Sequence, residues 1–374
     1  MADFIAHFSI IPDPRIDRCK RHKLIDILFL CMAAVVCGAE GWEEIEDFGH
    51  DREDWLRQYL TFDNGIPGHD TIARVMSRLD PGALQRSFAA WMQDVVTMTD
   101  REVIAIDGKT VRRSFKGGRR SSAIHMINAW AVANKVVLGQ LKVDGKSNEI
   151  TAIPELLSIL AIKGCIITID AMGCQTKIAQ QIISQKADYV ISLKGNQPEL
   201  SRAGRELFNL APEELELEEA SHQETSKDHG RIETRICRQL AVDSQWLPES
   251  ERWPGIKSVI EIKATREITG GETTEEARYY ISSLEVNARE AFNAVRTHWA
   301  VENSLHWSLD MAFREDECRI RRDNGAEFFA VMRRLSLNVL KKDTSKKAGI
   351  RRKQRMAAMN QDYAMHILSH FQDI

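Results

Sequence analysis

Along the first hundred residues, apolar positions recur at helical spacing. Leu24 to Cys37 is apolar on every face and predicts a buried helix, with Gly38 as its stop. Trp42 to Phe48 and Trp55 to Leu60 read as short amphipathic pieces, and Asn64-Gly65-Ile66-Pro67-Gly68 as a turn cluster. Asp70 or Thr71 is expected to cap a helix with Ile72, Val75, Met76 and Leu79 on one face and Arg74 and Arg78 on another. Pro81 should end that helix, before another from Leu84 to Val96. Residues 1–98 thus form a helical unit, which could contact DNA or simply pack.

From Arg101 the period changes to that of strands. The apolar run from Val103 is expected to end on Asp107, followed at once by Gly108. Ala123 to Ala133 and Lys135 to Val143 predict a hairpin around Asn134-Lys135. Ser147 or Asn148 should cap a helix through about Leu160, with Pro154 in its first turn. Cys165 to Ile169 predicts a second buried strand, ending on Asp170. A helix over Gln175 to Lys186, a strand over Tyr189 to Leu193, a turn over Lys194 to Pro198 and a helix to about Leu210 follow. This order implies an α/β fold, a mixed sheet flanked by helices.

Residues 211–285 break the alternation. An acidic segment (Glu213, Glu214, Glu216, Glu218, Glu219) leads to His229-Gly230-Arg231. Strands over Thr234 to Val242, Ile256 to Arg266 and Arg278 to Ser282, with a Gly270-Gly271 turn, make this a β-rich insertion. Ala288 to Phe313 then predicts one long helix whose stripe is Phe292, Val295, Trp299, Glu302, His306, Leu309 and Phe313. A carboxylate on a core-facing stripe needs a positive partner, either an arginine or a metal. A helix over Ala326 to Leu340 precedes a basic tail, residues 343–374.

The formal net charge of −3 does not favour nucleic acid, but the charge is segregated. Lys109, Arg112, Arg113, Lys116, Arg119 and Arg120 lie in a stretch without an acid, and Arg333 to Arg355 is basic except for Asp343. The seven cysteines are irregularly spaced with no C-x-x-C, which points to reduced thiols in the cytoplasm and no zinc cluster. His366 and His370 lie four apart with no third ligand nearby in sequence. The apolar run Ile27 to Cys37 is too short to span a bilayer, and Asp3, His7 and Asp13 interrupt any signal-peptide pattern, so no membrane partner is expected.

In an α/β sheet, sites gather at strand ends, so Asp107 and Asp170 could converge. With Glu302 they would make an all-oxygen set suited to Mg2+, with Mn2+ able to substitute. Two such ions about 3.5–4 Å apart serve phosphodiester chemistry. No P-loop, no G-x-G-x-x-G after the first strand and no G-x-S-x-G elbow offers a rival.

Several strings carry a family resemblance. They are Ile106-Asp107-Gly108-Lys109-Thr110, Lys146 to Pro154, Thr168 to Gln175, and His298 to Trp307. Asn64-Gly65-Ile66-Pro67, His69-Asp70-Thr71 and Ala348 to Lys353 extend them to both ends. Together they resemble the H-repeat-associated transposases, bacterial insertion-sequence proteins of the DDE superfamily, some of which accompany Rhs elements. The resemblance implies an RNase H-like catalytic core over 99–210 and 286–342, interrupted by the insertion. It implies Asp107, Asp170 and Glu302 as the metal-binding triad. It also implies double-stranded DNA (element ends and target) as partner, a homodimer on DNA, and a place in the bacterial nucleoid. Where related DDE transposases carry a Tyr, an Arg and a Lys on the glutamate helix, this chain has Val295, His298 and Leu309. Phosphate contacts must then come from other groups, with Arg296, His298 and His306 on that helix and Lys109, Arg112, Arg113, Lys194 and Arg231 elsewhere as candidates. The expected activity is end cleavage followed by 3′-hydroxyl strand transfer. The alternatives are a nuclease without strand transfer and a catalytically silent DNA-binding relic.

Overall fold

The computed structural model describes residues 2–115, 123–143, 149–210, 216–228, 230–268 and 271–370. The expected caps Ser147 and Asn148, the turn residue Gly270, His229, and the basic residues Lys116, Arg119 and Arg120 lie outside them.

Helix α1 (Ala2–Phe8) leads to α2 (Leu24–Val36), which is buried from Asp26 onward, as its all-round apolar sequence requires. Gly38, at φ +99°, turns the chain after it. Helices α3 (Trp42–Asp51) and α4 (Glu53–Leu56) lead to α5 (His69–Met76). Gly68, not Asp70 or Thr71, precedes the first turn of α5, with no side-chain cap. Pro81 does not end a helix but opens α6 (Pro81–Val95). There the Asp80 carboxylate accepts from the Gly82 and Ala83 amides, both at 3.1 Å, and proline at the first position costs no hydrogen bond.

One nine-stranded sheet follows, in the order β3-β2-β1-β4-β5-β9-β8-β7-β6. Its central strands are β1 (Val103–Thr110), β4 (Ile166–Ile169) and β5 (Asp188–Leu193), mutually parallel. The hairpin β2 (His125–Ala131) and β3 (Val136–Val143) pairs antiparallel on the β1 side. Helices α7 (Glu149–Ser158), α8 (Thr176–Ser184) and α9 (Pro198–Leu207) connect and cover these strands.

The insertion joins the central sheet. Its strands β6 (Glu219–Asp228), β7 (Arg231–Ala241), β8 (Ser258–Ile268) and β9 (Thr273–Ser282) extend the same sheet, because β9 pairs antiparallel with β5. Strand β6 was not expected: its residues, Glu-Ala-Ser-His-Gln-Glu-Thr-Ser-Lys-Asp, lack apolar alternation, and it is held by pairing with β7 and by the later helix that carries Phe292, which meets His222.

The glutamate helix is likewise not continuous. Helix α10 (Ala288–His298) gives way to a π-helical turn over Glu302–His306 and then α11 (Trp307–Met311). Helix α12 (Gly325–Lys342) is buried from Gly325 to Leu340 and packs against α2, α5, α6 and β3. A single hydrophobic cluster therefore runs from Phe4 in α1 to Leu368 near the C-terminus. The Asn338 side chain accepts from the Val137 amide at 2.8 Å and donates to the Val137 carbonyl at 2.9 Å, closing β3 beside its irregularity. The expected basic tail is instead two helices, α13 (Ile350–Met359) and α14 (Gln361–Ser369), folded back on the end of α12. No helix among the described residues is long and apolar enough to cross a membrane.

Candidate active site

The last parallel pair between β1 and β4 is Ile106 with Ile169. Asp107 and Asp170 therefore follow at the same level on neighbouring strands. Asp107 is not at a strand end as expected: β1 continues three residues further, held by β2 alone, with Asp107 opposite Asn128. Asp170 does leave its strand, and its carboxylate accepts from the Met172 and Gly173 amides at 3.1 and 3.4 Å.

The electrostatics show crowding of like charge. Burial, and then the charges of Asp170, Glu302 and Glu149, push the Asp107 carboxyl up to about 7, against one opposing hydrogen bond from the Gly108 amide. Burial and Glu149 also raise Asp170, while its backbone donors and Lys194 work the other way. Glu302 contributes from an exposed position. It is thus not the buried glutamate that the stripe implied; the wide π turn presents it to solvent beside the strands. Trp307, one residue beyond that turn, is 60% exposed rather than packed in the core.

Gly108 permits the close packing beside Asp107. A Cβ there would lie 2.4 Å from His125 Nε2 and 3.1 Å from Glu149 Oε1. His125 is fixed between Thr110 Oγ1, at 2.8 Å, and Glu149 Oε1, at 2.6 Å.

Behind the strand lies a buried ionic brace that the sequence did not signal. Arg334 on α12 donates to Asn128 Oδ1 and to Glu315 Oε1, each at 2.6 Å, and Asn128 donates to the Asp107 carbonyl at 3.5 Å. Burial works to raise the Glu315 carboxyl, but Arg334 and Arg333 outweigh it and hold it below its ordinary value.

The other candidates scatter. Lys109 is buried, not at the surface, and its ammonium lies 2.7 Å from Asp310 and 3.4 Å from Asp316. His306 Nε2 is 3.7 Å from Asp107 Oδ2; burial and then the nearby Lys109 and Arg334 lower the imidazole to about 4, so it is neutral at pH 7. His298 hydrogen-bonds Thr168 Oγ1 at 3.0 Å and is also lowered to about 4 by burial. Lys194 and His298 line a cavity of about 330 Å³ that reaches Asp170, together with Arg205, Arg278 and Trp299. Arg112 and Arg113 line a second cleft, of about 520 Å³, with Phe115, Arg319 and Arg321. Arg319 and Arg321 went unnoticed in the sequence because they are far from Arg112 along the chain. Arg296 is exposed beside Arg235, and Arg231 sits at the tip of the β6–β7 hairpin.

The chain belongs to the DDE transposase family: the family model "Transposase DDE domain" matches residues 98–339, and "DDE_Tnp_1-associated" matches residues 5–92. Within that family it falls among the H-repeat-associated proteins. It is 47% identical over 366 residues to the "H repeat-associated putative transposase YhhI" of Escherichia coli (strain K12), covering 97% of each chain. It is 42% identical over 279 residues to an uncharacterized protein in the dhlA 3′ region of Xanthobacter autotrophicus, covering 74% of this chain and 92% of that one. Among solved structures, a piggyBac transposase synaptic complex with hairpin DNA aligns over 99% of this chain and 76% of that chain. The sequence identity there is 11% and the TM-score 0.41, too low to carry an argument.

Proposed function

We propose that this transposase cleaves the ends of its element and joins their 3′-hydroxyls to target DNA, using Asp107, Asp170 and Glu302 to hold Mg2+. The observation that carries this reading is the β1–β4 register, which sets Asp107 and Asp170 at the same level, where burial and then the charges of Asp170, Glu302 and Glu149 push the Asp107 carboxyl up. Such crowding is costly in the free protein and is relieved by a divalent cation. An all-oxygen set of this kind suits Mg2+ or Mn2+ by its chemistry; its three carboxylates do not lie within 4.8 Å of one another in the free protein and would have to close on the ion. Bound there, the metal would activate the attacking oxygen and stabilise the leaving one.

The protein's own groups then have separate tasks. Asn128 and Arg334 fix the Asp107 backbone from behind, so the carboxylate is aimed before DNA arrives. Neutral His306, next to Asp107, adds no charge to the site and leaves Nε2 3.7 Å from the Asp107 carboxylate. Lys194 offsets the charge of Asp170. The cleft of Arg112, Arg113, Arg319 and Arg321 is suited to a DNA backbone, where arginine forks match phosphate oxygens. Five strands, β3-β2-β1-β4-β5, with β2 alone reversed, support an RNase H-like core over 99–210 and 286–342. Residues 1–98 would add DNA contacts, 211–285 the insertion, and a homodimer would pair two ends.

The test is Mg2+-dependent cleavage of the DNA flanking the gene by purified protein, compared with Asp170→Asn and Glu302→Gln. Both variants should bind that DNA and lose cleavage by about a hundredfold or more. Cleavage at the parental rate in either variant overturns the assignment. Joined product from pre-cleaved ends separates strand transfer from simple hydrolysis.

A further inference from the structure

In sequence, His366 and His370 lack a third partner. The fold supplies one, because α13 and α14 return to the C-terminal end of α12, where Asp343 is buried. His366 lies on the face of α14 that meets this carboxylate, and His370, the residue that caps the helix, follows one turn later.

The two oxygens of Asp343 have different neighbours. Oδ2 accepts from the Tyr363 hydroxyl at 2.7 Å and lies 3.4 Å from the Lys353 ammonium. Oδ1 accepts from the Ser345 amide at 2.9 Å and faces His366 Nε2 at 3.3 Å and His370 Nε2 at 3.9 Å. One ligand atom from each of the three residues falls within 4.8 Å of the others. Among the described residues, no other trio of histidine, cysteine or carboxylate side chains is gathered this closely. The two ring centroids are 4.8 Å apart with the planes inclined at 72°, so the imidazoles do not stack.

We propose that Asp343, His366 and His370 form a zinc-type metal site that fastens α14 to the end of α12. Two imidazole nitrogens and one carboxylate oxygen suit Zn2+ rather than Mg2+, which prefers oxygen alone. Bond lengths of about 2.0–2.2 Å set neighbouring ligand atoms roughly 3.3 Å apart around such an ion. The Asp343–His366 pair already has that spacing, and His370, just past the last residue of α14, must close on it from 3.9 Å. His366 is 44% exposed, so solvent can fill a fourth position. Lys353, on the Oδ2 side, removes part of the local negative charge and weakens the site without occupying it. This site shares no residue with the Asp107 cluster, and its role is structural.

The test uses the full-length protein in excess Mg2+, which saturates the Asp107 cluster, with Zn2+ as the probe. Zinc titration by calorimetry should give about one equivalent more for the parent than for the double variant His366→Gln, His370→Gln. Zn2+ should raise the thermal midpoint of the parent and not of the double variant. Metal-free circular dichroism and thermal midpoint check that the variant folds. If it does not, His366→Gln alone, at the half-exposed position, should weaken Zn2+ about tenfold or more. Equal zinc stoichiometry in parent and variant, or no zinc-dependent midpoint shift in the parent, overturns the site.

Discussion

Replacing Asp107 with asparagine should make the metal-free protein more stable at alkaline pH while abolishing cleavage. The Asp107 carboxyl stands at about 7 in the fold against an ordinary value of 3.8. Between those values the unfolded chain ionises the group and the folded chain does not. Stability therefore falls as pH rises through this window, and the loss is complete above about 7. The full difference corresponds to about 4 kcal/mol. Between pH 5.5 and 8.5 only the part from 5.5 to about 7 remains, or about 2 kcal/mol. The side chain is 23% exposed, so solvent screening leaves most of this in place. Asparagine still accepts from the Gly108 amide and carries no charge at any pH. Urea unfolding in EDTA, at pH 5.5 and 8.5, should show the gap between Asp107→Asn and parent widening by about 2 kcal/mol in the variant's favour. Millimolar Mg2+ should shrink the gap by stabilising the ionised parent. A gap that stays constant with pH in EDTA would refute the argument that crowded carboxylates strain this site.

Arg334→Met leaves Glu315 buried without its nearest cation and should cost about 3–5 kcal/mol in denaturant unfolding; the double variant Arg334→Met, Glu315→Leu should recover most of that. Gly108→Ala places a Cβ 2.4 Å from His125 Nε2 and should destabilise by about 1–3 kcal/mol, with His125→Ala in the same chain relieving it. Arg319→Ala and Arg321→Ala should each lower the slope of log affinity against log salt for DNA by about 1, read by fluorescence anisotropy at several salt concentrations.

The legible parts of this chain were those whose burial is periodic. Val103 to Ile106 and Ile166 to Ile169 are apolar but for the buried Thr168 because helices cover both faces of a central sheet, so the two strands that lead to Asp107 and Asp170 could be read, though not that β1 runs on past Asp107. The all-apolar α2 was equally plain. Strand β6 was not, because the side chains it turns toward α10, Ala220 and His222 among them, are too small or too polar to write an apolar alternation into the sequence. Glu302 fell on an apolar stripe at spacings of three and four, but a π turn shifts the register within that stripe, and spacing alone cannot show it. In α13, Lys353 and Gln354 are buried and mimic a solvated basic tail; Lys353 is accommodated by the carbonyls of Leu340 and Asp343, which only the tertiary fold brings near. The brace of Arg334, Glu315 and Asn128 joins three distant segments and so has no local signature.

The pairing of β9 with β5 has a mechanical consequence. An insertion hung on loops would swing independently of the core, but here an unbroken hydrogen-bonded ladder runs from Arg231 at the hairpin tip, through β8 and β9, to Val190–Leu193. A load applied to that tip is borne by the ladder as shear and arrives at the strand beside Ile169, one residue from Asp170. The far end of the ribbon is thus tied, strand by strand, to the part of the sheet that adjoins the carboxylates.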